Sequence, residues 1–308
     1  MKRILVLGGT GFVGRHFCAK ARSLGCRLTV LTRRSDSAKV VQTLPWVDVL
    51  VGDVFDEAAL QRLLSGHDAV VNLVAILHGD QAAFTRVHVT LLETLVRACR
   101  ASDVRRFVQV SALGAAPDAP SMYQRSKAQG EAVLLASGLD VSILRPSVIF
   151  GEGDQFLTLF ATLQAVFPVM PLAGAATRFQ PVWVEDVAQA LVNLLCEPQP
   201  GTQPVSRPVS VQACGPDVFT LAELVRIAGR LSGHRRLVLP LPDAIGRLQA
   251  GLMEWLPGKT LMSRDNVDSM QVDNVAAPGQ AGLAALGITP QALMAVVPGY
   301  LQARRPTV

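Results

Sequence analysis

Tyr123 and Lys127 are spaced so that on a helix they share one face, about a turn apart. An ammonium beside a phenol favours the phenolate and lowers the tyrosine pKa. Such a pair can pass a proton to or from a carbonyl or alcohol while another group carries the hydride. Ser111, just beyond the apolar run Phe107–Val110, is a third candidate for this chemistry. A second cluster, Gly8-Gly9-Thr10-Gly11-Phe12-Val13-Gly14, suits a different task. Gly8 permits a tight turn, Gly11 lets a pyrophosphate approach the backbone, and Gly14 lets a helix pack closely on the preceding strand. The helix N-terminus, with the amides around Thr10, Phe12 and Val13, then meets the phosphate charge.

Positions after the next strands refine this dinucleotide reading. Val30-Leu31-Thr32 is followed by Arg33-Arg34, with no carboxylate before Asp36. A carboxylate there would hold a ribose 2′-hydroxyl, whereas a guanidinium suits a 2′-phosphate. NADP(H) is therefore the expected cofactor and NAD(H) the alternative, with Arg33 the first choice of contact and Arg34 the second. Asp53-Val54 follows a third strand, where a carboxylate can accept from the adenine amino group. Leu73, Val74 and Ala75 end a fourth, beside the expected nicotinamide ribose.

The elements that must position these residues follow from periodicity. Ile4–Leu7, Leu28–Leu31, Val47–Val51, Ala69–Val74, Phe107–Val110 and Val141–Leu144 are short, β-branched and apolar without strict alternation. Parallel strands covered on both faces have this composition. Helical patterns separate them, as in Phe84–Arg100, where Val87, Leu91, Leu95 and Ala98 repeat on one face. The alternation predicts an α/β fold with a doubly wound parallel sheet. Residues 1–150 form the dinucleotide-binding part, with 178–196 packing back onto it, and 151–177 and 197–308 form a smaller substrate-side part. Prolines 198, 200, 204 and 208 mark a linker. Thr220 with Glu223 predicts a capped helix over 220–231, and Ile245, Leu248, Leu252 and Trp255 give 243–256 an apolar face.

Composition narrows the function classes. The chain has 308 residues, 50% hydrophobic and 17% charged, enough for a sizeable core. Its net charge of +5 is spread over pairs such as Arg33-Arg34, Arg105-Arg106, Arg235-Arg236 and Arg304-Arg305. No basic stripe with interleaved aromatics suggests nucleic acid. The cysteines, at 18, 26, 99, 196 and 214, lack metal or disulfide spacing and suit a reducing compartment. Residues 156–176 are uncharged, but Pro168 and Pro171 break them, which predicts a buried helix and then a loop rather than a membrane span. The start at Met1-Lys2-Arg3 runs directly into a strand and is read as no signal peptide.

Taken together, GGTGFVG, Asp53-Val54, SALGA (111–115), YQRSK (123–127), RPSVIFG (145–151) and QPVWVEDVA (180–188) resemble the extended and atypical short-chain dehydrogenases/reductases. They look most like the subgroup of the nucleotide-binding accessory subunit of mitochondrial complex I and its bacterial relatives. That resemblance implies that Pro146, Ser147 and Ile149 line the nicotinamide side. It also implies that 156–176 and the helices at 220–231 and 243–256 cover an apolar cleft suited to a lipid, quinone or isoprenoid. One departure stands out: active extended members usually carry Ser or Thr where this chain has Leu113. His88 likewise stands where many members have a structural asparagine. Two functions fit, an NADPH-dependent oxidoreductase on a hydrophobic carbonyl or quinone-like compound, and a non-catalytic NADP(H)-binding protein of a respiratory or quinone-biosynthetic assembly. The expected location is cytoplasmic, extending to a peripheral position at the inner face of the membrane.

Overall fold

A computed structural model describes residues 1–195, 210–255 and 262–302. The linker prolines, Cys196, Leu256 and Arg304-Arg305 lie outside the described residues.

The first half alternates strand and helix as the apolar runs require. In order these are β1 (Arg3–Leu7), α1 (Phe12–Lys20), β2 (Arg27–Thr32), α2 (Ser35–Ala38), β3 (Val47–Val51) and α3 (Glu57–Leu64). Next come β4 (Ala69–Asn72), α4 (Gln81–Thr85), α5 (Leu91–Ala101), β5 (Arg106–Val110), α6 (Met122–Leu135) and β6 (Asp140–Pro146). A seventh strand arrives later in the chain. After β7 (Ile149–Phe150), α7 (Leu157–Val166), β8 (Val169–Leu172), β9 (Arg178–Phe179), β10 (Val182–Trp183) and α8 (Val184–Leu195), β11 (Ser210–Ala213) joins the sheet edge beside β6. The sheet is parallel throughout, in the order β11-β6-β5-β4-β1-β2-β3. The order reverses beside β1, so a crevice opens at the C-terminal ends of β1 and β4, where such sheets bind ligands.

Each strand buries both faces. In β1, Ile4 and Val6 pack with Phe17 of α1 and Val187 and Leu191 of α8, while Leu5 and Leu7 pack with Leu60 of α3 and Leu91 and Leu95 of α5. That double burial is why these strands lack polar alternation. Glu185 fastens α8 to α1 through His16 (2.6 Å) and Lys20 (3.1 Å).

Three expectations need correction. The helix expected over 84–100 is interrupted by a π-helical turn at Arg86–Thr90. This wide turn brings α6 so close that a Cβ on Gly130 would lie 2.1 Å from the His88 carbonyl oxygen. The run expected to end in a loop after 166 instead forms β8, paired with a later strand. The apolar stretch ending at Val74 stops as a strand at Asn72, whose side chain accepts from the Val74 amide.

The remaining elements build a smaller lobe: β12 (Phe219–Thr220), α9 (Leu221–Ser232), β13 (Leu237–Pro240), α10 (Asp243–Glu254), α11 (Arg264–Ser269) and α12 (Leu293–Leu301). Thr220 and Glu223 form the expected capping box at the start of α9. The apolar face expected of α10 is present but faces outward. Gly246 and Ala250 pack against Ala173 and Val267, while Ile245, Leu248, Leu252 and Trp255 are exposed. Close approach through small residues won over burial of the larger ones.

Candidate functional site

The glycine turn has the geometry its spacing demands. Gly8 sits at φ +77°, and a Cβ there would lie 3.0 Å from the Leu73 carbonyl carbon. A Cβ on Gly14 would lie 2.3 Å from the Gly8 carbonyl oxygen, so α1 can seat on β1 only with glycine there. Gly11 is exposed and caps α1 without a side-chain acceptor, leaving the first-turn amides near Thr10, Phe12 and Val13 open to an anion. The backbone of Leu73 and Val74 forms the opposite wall, and Ala75 beyond it is exposed.

An open cavity of about 750 Å³ beyond the ends of β2 and β3 is lined by Arg33, Gly52, Asp53, Phe55, Arg86 and Val87, among others. Arg33 lines it directly after β2. Arg34 does not line it; it caps the start of α2 and takes a bond from the Thr32 hydroxyl through its carbonyl. Asp53 accepts from the Phe55 amide, and Val54 turns into the core. The Arg86 guanidinium stacks 4.5 Å above the Phe55 ring. Sequence reasoning missed both Arg86 and Phe55. Arg86 occupies an ordinary polar position of an amphipathic helix in the sequence; in the structure it opens the π-helical turn and lines the cavity.

The third group stands at the ends of β5 and β6. Ser111 is buried, and its hydroxyl has no partner among the described residues. One residue earlier, the Val110 carbonyl accepts from Lys127 Nζ at 3.1 Å. Lys127 is buried and lies 5.9 Å from the centre of the Tyr123 ring. Tyr123 is packed edge-on between Phe84 and His88, with ring centres 6.1 and 5.6 Å away. His88 is fixed in one tautomer. Its Nε2 accepts from the Ile76 amide (3.3 Å), so Nδ1 carries the hydrogen toward Ser126 Oγ (2.8 Å), which donates to the Tyr123 carbonyl. Asp265 of α11 receives the Met122 and Tyr123 amides at 2.5 and 3.1 Å and so caps α6, a contact the sequence did not signal.

Burial reverses the electrostatics expected of the pair. Tyr123 is pushed up to about 12 and Lys127 down to about 8, both by desolvation. The expected lowering of the phenol by the ammonium is overridden, because each group titrates in an apolar setting before it meets the other. His88 is pushed down to about 3 by burial and the nearby Lys127, and so stays neutral. The buried thiols of Cys18, Cys99 and Cys214 are raised to about 12, which makes them poor nucleophiles.

Of the residues expected on the nicotinamide side, Pro146 ends β6 and receives the Leu113 amide on its carbonyl. Ser147 bonds Asn274 Oδ1 through its hydroxyl at 2.5 Å and the Ala213 carbonyl through its amide. Ile149 packs against the core from β7.

The orphaned Ser111 hydroxyl, the open start of α1 and the glycine turn fit a dinucleotide. The chain belongs to the NAD(P)H-binding family, whose description matches residues 8–198. Its relatives include subunits of respiratory complex I and a reductase. Mitochondrial NADH dehydrogenase (ubiquinone) 1 alpha subcomplex subunit 9 of Arabidopsis thaliana is 26% identical over 94% of this chain and 74% of its own length. A ceramide reductase of Caulobacter vibrioides is 32% identical over 81% of this chain and 76% of its own. Among solved structures, an NADPH-dependent quinone oxidoreductase of Escherichia coli complexed with NADPH superposes with a TM-score of 0.75 at 18% identity, covering 97% of this chain and 99% of that one.

Proposed function

We propose that the chain is an NADP(H)-linked oxidoreductase that acts on a hydrophobic carbonyl or quinone-like compound. The observation that carries this reading is the buried, unpartnered Ser111 hydroxyl, one residue beyond the carbonyl that anchors Lys127. A buried hydroxyl without a partner costs about 1–3 kcal/mol, a cost relieved when a ligand supplies the missing bond. In this reading residues 1–150 hold the dinucleotide and the later lobe covers the substrate. Arg33, with Arg86 beside it, meets a 2′-phosphate.

The cofactor, when bound, supplies the hydride. The chain supplies the rest. The start of α1 binds the pyrophosphate, Lys127 holds ribose hydroxyls, and Ser111 orients the substrate oxygen. Tyr123 delivers the proton from its hydroxyl, and a phenol raised to about 12 is protonated at neutral pH, as a proton donor must be.

A second reading has its own support. Leu113 is buried where the family resemblance implies a hydroxyl in active members, and the Arabidopsis relative is a respiratory-complex subunit aligned over most of the chain. In that reading NADP(H) stabilises an assembly component and is not turned over. Tyr123→Phe separates the two. It should keep NADPH affinity and lower NADPH oxidation with long-chain ketones or quinones by about 10²–10⁴-fold. Absence of wild-type turnover across such a panel, with NADPH bound, leaves the accessory reading standing.

A further inference from the structure

We propose that the smaller lobe docks on a membrane surface bearing anionic headgroups. The inference is independent of whether the site turns over a substrate. Three observations fall on neighbouring segments of this lobe, β8, α9, β13 and α10.

The first is an apolar sheet face. β8 and β13 pair in parallel, with Leu237 opposite Val169 and Leu239 opposite Pro171. The intervening residues Met170, Leu172 and Val238 are buried, so the other four form the outer face, and all four are exposed. Val166 and Phe167, 70% and 51% exposed, extend it just before β8.

The second is α10, which follows β13. Ile245, Leu248, Leu252 and Trp255 recur along one stripe and are 52%, 66%, 65% and 88% exposed. Its buried side holds only small residues, so the helix presents its larger residues to the solvent side by construction. A surface helix with an outward apolar stripe ending in tryptophan suits the headgroup boundary, where the indole is favoured. Among the described residues no helix is long and apolar enough to cross a bilayer, so the lobe lies on the membrane rather than through it.

The third is charge, and it selects the occupant. Arg226 and Arg230 on α9, with Arg235 and Arg236 at the start of β13, line a cavity of about 540 Å³ whose floor includes Phe219, Ile227 and Val238. The carboxylate there, Glu223, is held by the Thr220 amide and hydroxyl. Arg236 also bonds the Gln164 carbonyl. On α10 and beside it, Arg247 pairs with Asp268 and Arg264 with Glu254, and Asp243 stands in the first turn. The arginine cluster therefore keeps a positive excess next to the aliphatic face. A second copy docked symmetrically through this face would set that excess against itself. Phosphate headgroups would neutralise it while the aliphatic residues meet acyl chains.

The test is flotation of the full chain with vesicles of phosphatidylcholine alone or with added phosphatidylglycerol. Binding should require phosphatidylglycerol and weaken with salt. Each basic residue near such a surface contributes roughly fivefold, so Arg230→Glu with Arg235→Glu should reduce binding at least about twenty-five-fold. Leu248→Ser with Leu252→Ser should also weaken it, and brominated lipid should quench wild-type fluorescence more than that of Trp255→Phe. NADPH affinity, unchanged in every variant, reports an intact fold and is read separately from turnover. Equal binding to both vesicles, or no loss in either double variant, overturns the proposal. So does a dimer in solution that Leu248→Ser with Leu252→Ser dissociates, because the face would then belong to a second copy.

Discussion

At the scale of single residues, the geometry of the glycine turn was legible because it depends on residues adjacent in sequence. Arg33 follows β2 and lines the cavity, as its position implies. A charge-assisted contact to phosphate is worth about 1.5–3 kcal/mol, or roughly ten- to hundredfold in affinity. Arg33→Glu should therefore abolish a preference for NADPH over NADH in fluorescence titrations, and equal wild-type affinities would remove Arg33 from this role. The proton side was less legible, since spacing brings Lys127 to Tyr123 but says nothing of how dry their surroundings are. That dryness has a measurable consequence. Lys127 is lowered to about 8, below the value near 10.5 of an unfolded lysine. The unfolded chain thus holds the extra proton between those values, and stability rises with pH through that window. The cost is present in full below pH 8. Lys127→Met, with Glu131 still held by Arg145 through the 2.9 Å Nε contact, should gain up to about 3 kcal/mol at pH 7. The gain should fade as urea titrations are repeated toward pH 10.5. A variant less stable at pH 7 would mean that the Val110 and Glu131 contacts outweigh desolvation.

At the scale of elements, the strands were readable because each is apolar on both faces, and Thr220 with Glu223 marked α9 through local bonds alone. The π-turn at Arg86–Thr90 was not, because the close approach of Gly130 to the His88 carbonyl that accompanies it involves residues far along the chain. β11 escaped for a similar reason, as its partner β6 is remote in sequence. The cap on α6 is the most consequential of these long-range features. Asp265 joins the smaller lobe to the helix that carries Tyr123 and Lys127, and its charge faces the positive end of that helix. Asp265→Asn keeps the shape but removes the charge and should cost about 0.5–2 kcal/mol in urea unfolding. Because the cap holds Tyr123 rather than the glycine turn, NADPH affinity should change little while any turnover falls. Equal losses in affinity and turnover would show that the cap serves the whole site.

At the scale of the whole molecule, the sheet, the glycine turn and the later lobe form a structure whose stability depends on the ligand it holds. A ligand that binds only the folded chain stabilises it by RT ln(1 + [L]/Kd), about 2.7 kcal/mol at a hundred times Kd. For a chain of this size each kcal/mol moves the melting temperature by about 2–4 °C. NADPH at that concentration should therefore raise it by roughly 5–10 °C. NADH at the same concentration, bound ten- to hundredfold more weakly, is left at about one to ten times its own Kd and should give only about 1–6 °C. Gly11→Val should melt near the unliganded wild type, because a Cβ at Gly11 meets only the Gly8 carbonyl oxygen, at 3.2 Å, while the larger side chain fills the approach to the open amides. Neither nucleotide should then shift its melting. A shift that survives in Gly11→Val would place the dinucleotide elsewhere on the surface. Equal shifts for the two nucleotides would remove Arg33 and Arg86 from any role in selection, leaving the turn and its open helix end as the source of affinity.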